Sequence, residues 1–122
     1  MTSSAKPRKL EIRIGAAADA LDRFEAAWNR VQEGRAMRAL EILTFSSLPL
    51  LLKTLSPARW GLLQKLHADG ALSIYELARR LQRDYKNVHT DVTQLAGIGL
   101  IERRADGLVA VAWDLLRAEL RF

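Results

Sequence analysis

Two helix-start signals stand close together in the second half of the chain, and they constrain the fold more than any other feature. Ser73 and Glu76 make an S-x-x-E capping box, followed by Leu77, Ala78 and Leu81 as the inward face of a short helix. Asp84 caps a further helix running to about Ala96, whose buried set is Val88, Val92 and Leu95 at i, i+4 and i+7. The linkage Gln82-Arg83-Asp84 is too tight for anything but a sharp turn. Gly97 or Gly99 supplies the stop. Ile98 to Arg104 and Leu108 to Trp113 then read as two extended segments around Ala105-Asp106-Gly107, where Asp-Gly is a hairpin signal.

The flanking segments add a second layer. Leu10, Ile12 and Ile14 alternate with Glu11 and Arg13, the period of a half-buried strand that needs a partner. Leu21, Phe24, Trp28 and Val31 recur at helical spacing, so residues 17–33 read as an amphipathic helix ended by Gly34. Residues 39–45 alternate and are read as the strand that pairs with residues 10–14. Ser47 starts a short helix to Leu55, and Ser56-Pro57 supplies the cap and first-turn proline of the next, with Leu62, Leu63 and Leu66 on its core face. Residues 114–122 read as a short terminal helix with Leu116 and Leu120 on one face. The expected division is a flexible basic tail over 1–9, an N-terminal extension over 10–54, a central domain over 55–113 and a C-terminal helix over 114–122.

Composition narrows the chemistry. With no cysteine, disulfides, thiolate nucleophiles and Cys-ligated metals are excluded. His67 and His89 are the only histidines, and neither sits in a metal-ligand motif; no nucleophile elbow or phosphate-cradling glycine loop is present. No enzyme, cofactor or metal site is expected. The longest apolar run is too short to span a bilayer, and the basic start leads into a strand pattern rather than a signal-peptide core, so the reading is cytoplasmic with no membrane partner. The formal charge of +5 permits a polyanion partner and is shared almost evenly between the two halves.

The segment from Leu72 to Leu95 has helix-turn-helix spacing, and the second helix divides as a DNA-reading helix requires. Tyr85, Lys86, Asn87, His89, Thr90 and Thr93 fall on one side, and Val88, Val92 and Leu95 on the other. Lys86 suits guanine O6/N7 or phosphate, Asn87 suits adenine N6/N7, and the Thr90 methyl suits a thymine methyl. Arg79, Arg80 and Arg83 precede this helix, and Arg103 and Arg104 approach the hairpin tip. Their expected contacts are phosphates, or the minor groove for the hairpin pair. Trp60 and Trp113 read as core or interface aromatics.

Leu77-Ala-Arg-Arg-Leu81, then Val88, Val92, Leu95 and Gly99-Leu-Ile-Glu-Arg-Arg104, resemble the winged helix-turn-helix transcription regulators of the broad MarR/ArsR-like group. More narrowly, Leu55-Ser-Pro-Ala-Arg-Trp-Gly-Leu-Leu63 ahead of Asp91-Val-Thr-Gln-Leu95 looks like a compact family of regulators described as antitoxins. The expected architecture is α+β, a winged helix-turn-helix with an N-terminal strand-helix-strand extension. The resemblance implies a homodimer on a pseudo-palindromic site in double-stranded DNA, acting as a repressor. Leu10, Ile12, Ile14, Leu21, Phe24, Trp28, Val31, Trp113, Leu116 and Leu120 are the expected dimer or partner surface. The competing expectation is an interaction module or antitoxin whose N-terminal layer covers a toxin protein, with DNA binding secondary or absent.

Overall fold

Four side chains, Ser47, Ser56, Ser73 and Asp84, each accept a hydrogen bond from a backbone amide three residues on, and each thereby opens a helix. The computed structural model describes residues 7–15 and 41–120. The helix expected over residues 17–33, with Leu21, Phe24, Trp28 and Val31, lies outside the described residues, as does most of the expected tail. In chain order the described elements are strand β1 (Lys9–Ile14), strand β2 (Ile42–Phe45), and helices α1 (Leu48–Thr54), α2 (Pro57–Asp69), α3 (Ile74–Leu81) and α4 (Tyr85–Gly97). Strands β3 (Glu102–Arg103), β4 (Val109–Ala110) and β5 (Leu115–Ala118) follow. The chain is α+β, with four described helices and two small sheets.

Period-two patterning places β1 at the centre of a three-stranded sheet, order β2-β1-β5, with both pairings parallel. Leu10 and Ile12 point to the helices and are buried, while Glu11 and Arg13 on the opposite face pair with each other at 2.6 Å. Leu10 joins Leu62, Leu63, Leu66, Leu77, Val88, Val92 and Leu95 in one cluster, so the first strand shares the core of the helices. Ile12, Phe45 and Leu51 form a smaller cluster beside it, bridged by the half-buried Leu43, Leu55 and Leu116. Burying each such side chain stabilises the fold by about 1.5–3 kcal/mol.

The C-terminal segment corrects the sequence reading. Residues 115–118 are a strand, not a helix, with Leu116 aligned on Leu10 and Ala118 on Ile12. An isolated helix of this length is marginal, whereas a strand here satisfies the second edge of β1 and buries part of Leu116 on the core. Just before the strand, the Asp114 carboxylate accepts from the Arg8 amide at 2.9 Å and contacts His67 Nε2 at 3.0 Å. Nor does the expected tail extend to residue 9. Arg8 pairs with Glu41 at 2.9 Å and lies 4.4 Å over the Trp113 ring, and Lys9 begins β1.

The hairpin is present but short. β3 and β4 pair antiparallel over two residues each, and Leu72 exchanges both backbone bonds with Val109, adding a bridge on the far side of β4. The turn is not the two-residue Asp-Gly type. Asp106 keeps negative φ, Gly107 alone is left-handed at φ 86°, and the Gly107 amide donates to Arg104 O, the arrangement of a turn closed by a glycine bulge.

Candidate nucleic-acid interface

The site is built on α4. Its rear side chains, Val88, Val92 and Leu95, are wholly buried. Tyr85, Lys86, Asn87, His89, Thr90, Thr93 and Gln94 are all exposed on the opposite side. Asp84 Oδ2 accepts from the Asn87 amide at 3.2 Å, which fixes the first turn, and the Tyr85 and His89 rings lie 5.9 Å apart on the surface. Thr90 Oγ1 donates to Lys86 O at 3.0 Å, so its hydroxyl proton is used within the helix. Among the described residues no carboxylate pairs with Lys86.

The arginines divide. Arg103 Nη2 donates to Thr93 Oγ1 at 3.1 Å, which brings the hairpin beside the exposed face of α4. Arg104 is exposed and paired with Asp106 at 3.0 Å. Arg79 makes two bonds to Glu76, at 2.9 and 2.6 Å, and Arg80 spans Glu76 and Asp69 at 2.7 and 3.0 Å. The Arg79 and Arg80 guanidiniums hold the Glu76 carboxyl down at about 2. This changes the expected cap. Ser73 Oγ does accept from the Glu76 amide at 3.1 Å, but the Glu76 carboxylate is turned to the two arginines. Charge-assisted bonds to two cations outcompete one neutral amide.

Arg83 stands apart from that pair. Its Nη2 donates to Asp91 Oδ2 at 2.8 Å, and its Nη1 is buried without a partner. Asp91 also accepts from Arg59 Nε at 3.1 Å through its other oxygen, while Arg59 reaches Thr54 O at 3.2 Å and Gln94 Oε1. One carboxylate on α4 thus ties that helix to α2 and to the turn before it. Sequence reasoning missed Arg59 and Asp91. The signal was present: Asp91 follows Val88 by three residues and precedes Leu95 by four, so it borders the apolar stripe, where a carboxylate requires partners.

Leu21, Phe24, Trp28 and Val31 of the expected partner surface lie outside the described residues, and most of its described residues are occupied within the chain. Leu10 and Ile12 are buried in its own core, so they are not available to a second molecule. Ile14, Trp113 and Leu116 are half-buried against the same clusters, and Trp113 Nε1 donates to Gly99 O at 2.9 Å. Leu120 remains 55% exposed. No helix among the described residues is long and apolar enough to cross a membrane. No curated protein matches the sequence. The family model HVO_A0114 matches residues 54–118, more than half of the chain and the whole of the helix pair with its hairpin, and the protein belongs to the HVO_A0114 family.

Proposed function

We propose that this protein is a sequence-specific regulator that binds double-stranded DNA, acting as a dimeric repressor. In this reading α3 and α4 are a helix-turn-helix, β3 and β4 its wing, and α4 enters the major groove, as in the MarR/ArsR-like regulators that the sequence resembles. One observation carries it. Between Tyr85 and Gln94 the single acidic side chain, Asp91, is turned inward onto Arg59 and Arg83, which leaves an exposed face of lysine, amide, imidazole and hydroxyl groups. Such a face carries donors suited to base edges and no charge that repels phosphate.

Lys86 and Asn87 sit in the first turn, where a groove-bound helix presents its reading residues. Arg103 is placed for the adjacent backbone or minor groove. Arg79 and Arg80 reach phosphate only by loosening their bonds to Glu76, and Arg83 is the least available of the three. The test is selection of bound duplexes from a random pool by the purified protein. An inverted repeat is expected, and Asn87→Ala is expected to relax preference at one position per half-site at a cost of about 1–3 kcal/mol. Retention of no duplex at low salt, or an enriched motif unchanged by Lys86→Ala and Asn87→Ala in folded protein, overturns the reading.

A further inference from the structure

β5 is an edge strand whose sequence is complementary to itself. Leu115 N donates to Arg8 O at 3.3 Å, so residues 115 and 117 turn their backbone groups toward β1. By the period of two, the amides and carbonyls of Leu116 and Ala118 point away from the sheet, and among the described residues no strand pairs with them. The side chains around Ala118 run Leu116, Arg117, Ala118, Glu119, Leu120, an order whose polarity reads the same in both directions while its charge reverses.

We infer that β5 pairs antiparallel with β5 of a second copy of this chain about a two-fold axis at Ala118, joining two three-stranded sheets into one of six strands. In that register Ala118 faces Ala118 of the partner subunit as a hydrogen-bonded pair. Leu116 faces Leu120 of the partner subunit in the next such pair, so the outward backbone groups on both strands are matched. Arg117 meets Glu119 of the partner subunit, on the side of the sheet away from the core. The apolar side also continues across the seam. Leu116 already rests on the core of its own subunit, and the partner's Leu120, 55% exposed in the single chain, extends that surface. No other register around these residues matches both charge and apolarity: an axis at Arg117 opposes two arginines, and one at Glu119 opposes two glutamates. An edge with no pairing strand among the described residues is a template for strand addition.

The inference supplies the contact for the dimer in the proposed function but does not need DNA binding, and sedimentation equilibrium without DNA tests it alone. The native protein is expected to form a dimer. Arg117→Glu opposes like charges twice across the axis and is expected to weaken the dimer at least about ten-fold, while the exchange Arg117→Glu with Glu119→Arg restores it. Ala118→Pro removes an outward amide and spares the β1 ladder, so it is expected to give a folded monomer, checked by circular dichroism and thermal melting. A native monomer across the accessible concentration range overturns the inference. So does a dimer unmoved by Arg117→Glu, or one that the charge exchange fails to restore. Loss of the dimer with duplex selection retained would leave DNA reading standing by itself.

Discussion

Asp91 shows how one side chain can set the position of a whole helix. Its two oxygens take Arg59 from α2 and Arg83 from the turn before α4, and all three side chains are less than one-third exposed. At that burial the pairs are shielded from the solvent screening that makes surface ion pairs nearly neutral. Removing the carboxylate leaves two guanidiniums facing each other, one already carrying a buried unpartnered Nη1. Asp91→Ala is therefore expected to cost about 2–3 kcal/mol in urea unfolding, and Asp91→Asn somewhat less because one acceptor oxygen remains. A loss below about 0.5 kcal/mol would mean that the network is a surface decoration. The same burial explains why Arg83, alike in sequence to Arg79 and Arg80, differs from them as a candidate phosphate contact.

The two turns that bracket α4 solve one geometric problem in two ways. After α3, Arg83 N donates to Ala78 O and Gln82 N to Arg79 O; after α4, Leu100 N donates to Leu95 O and Gly99 N to Ala96 O. Both are Schellman endings, which want a left-handed residue. Gly99 supplies it freely at φ 88°, whereas Gln82 adopts φ 53° with a side chain. Gln82→Gly is expected to stabilise the protein by about 0.5 kcal/mol, and Gly99→Ala to destabilise it by about 1 kcal/mol. A Cβ at Gly99 meets nothing within 4 Å, so that loss is backbone strain alone. Paired denaturant titrations with opposite signs check both, and equal signs would contradict the shared motif. Elements of this local kind were legible in the sequence. Caps at Ser47, Ser56, Ser73 and Asp84 act within one turn, and the alternation of Leu10, Ile12 and Ile14 is visible within five residues. β5 was not legible, because Leu116 and Leu120, four apart, fit a helical stripe and a strand face equally. The deciding partner, β1, lies at the other end of the chain. The exposed face of α4 was legible for the same local reason that its buried face was, while its tie through Asp91 to Arg59 depends on how α2 packs.

At the scale of the molecule, surface carboxylates fasten elements that the core only brings near. Asp69 on α2 holds Arg80 of α3, and Asp114 before β5 holds His67 of α2 and the amide of Arg8 before β1. The bond from Arg80 holds Asp69 below the ordinary aspartate range, and the bond from His67, then the Arg8 amide, does the same for Asp114. Glu76, bonded by Arg79 and then Arg80, is held down at about 2. Each folded value lies beneath its unfolded one, so the unfolded chain takes up protons first as acid is added. The stabilisation is complete above the unfolded carboxylate range of about 4, and it is withdrawn as pH falls through the folded values toward 2. The urea midpoint is accordingly expected to drop between about pH 4.5 and pH 2. Because the cations in these pairs, Arg79, Arg80 and His67, are each more than one-third exposed, added salt should shrink the drop. Glu76→Gln isolates one contribution: it should lower the midpoint at neutral pH, flatten the acid slope and converge on the native protein near pH 2. Parallel acid slopes for the two proteins would show that the Arg79 and Arg80 contacts do not bias folding, and the polar ties between α2, α3 and the sheet would then be incidental to a fold held by Leu62, Leu66, Leu77 and Leu95 alone.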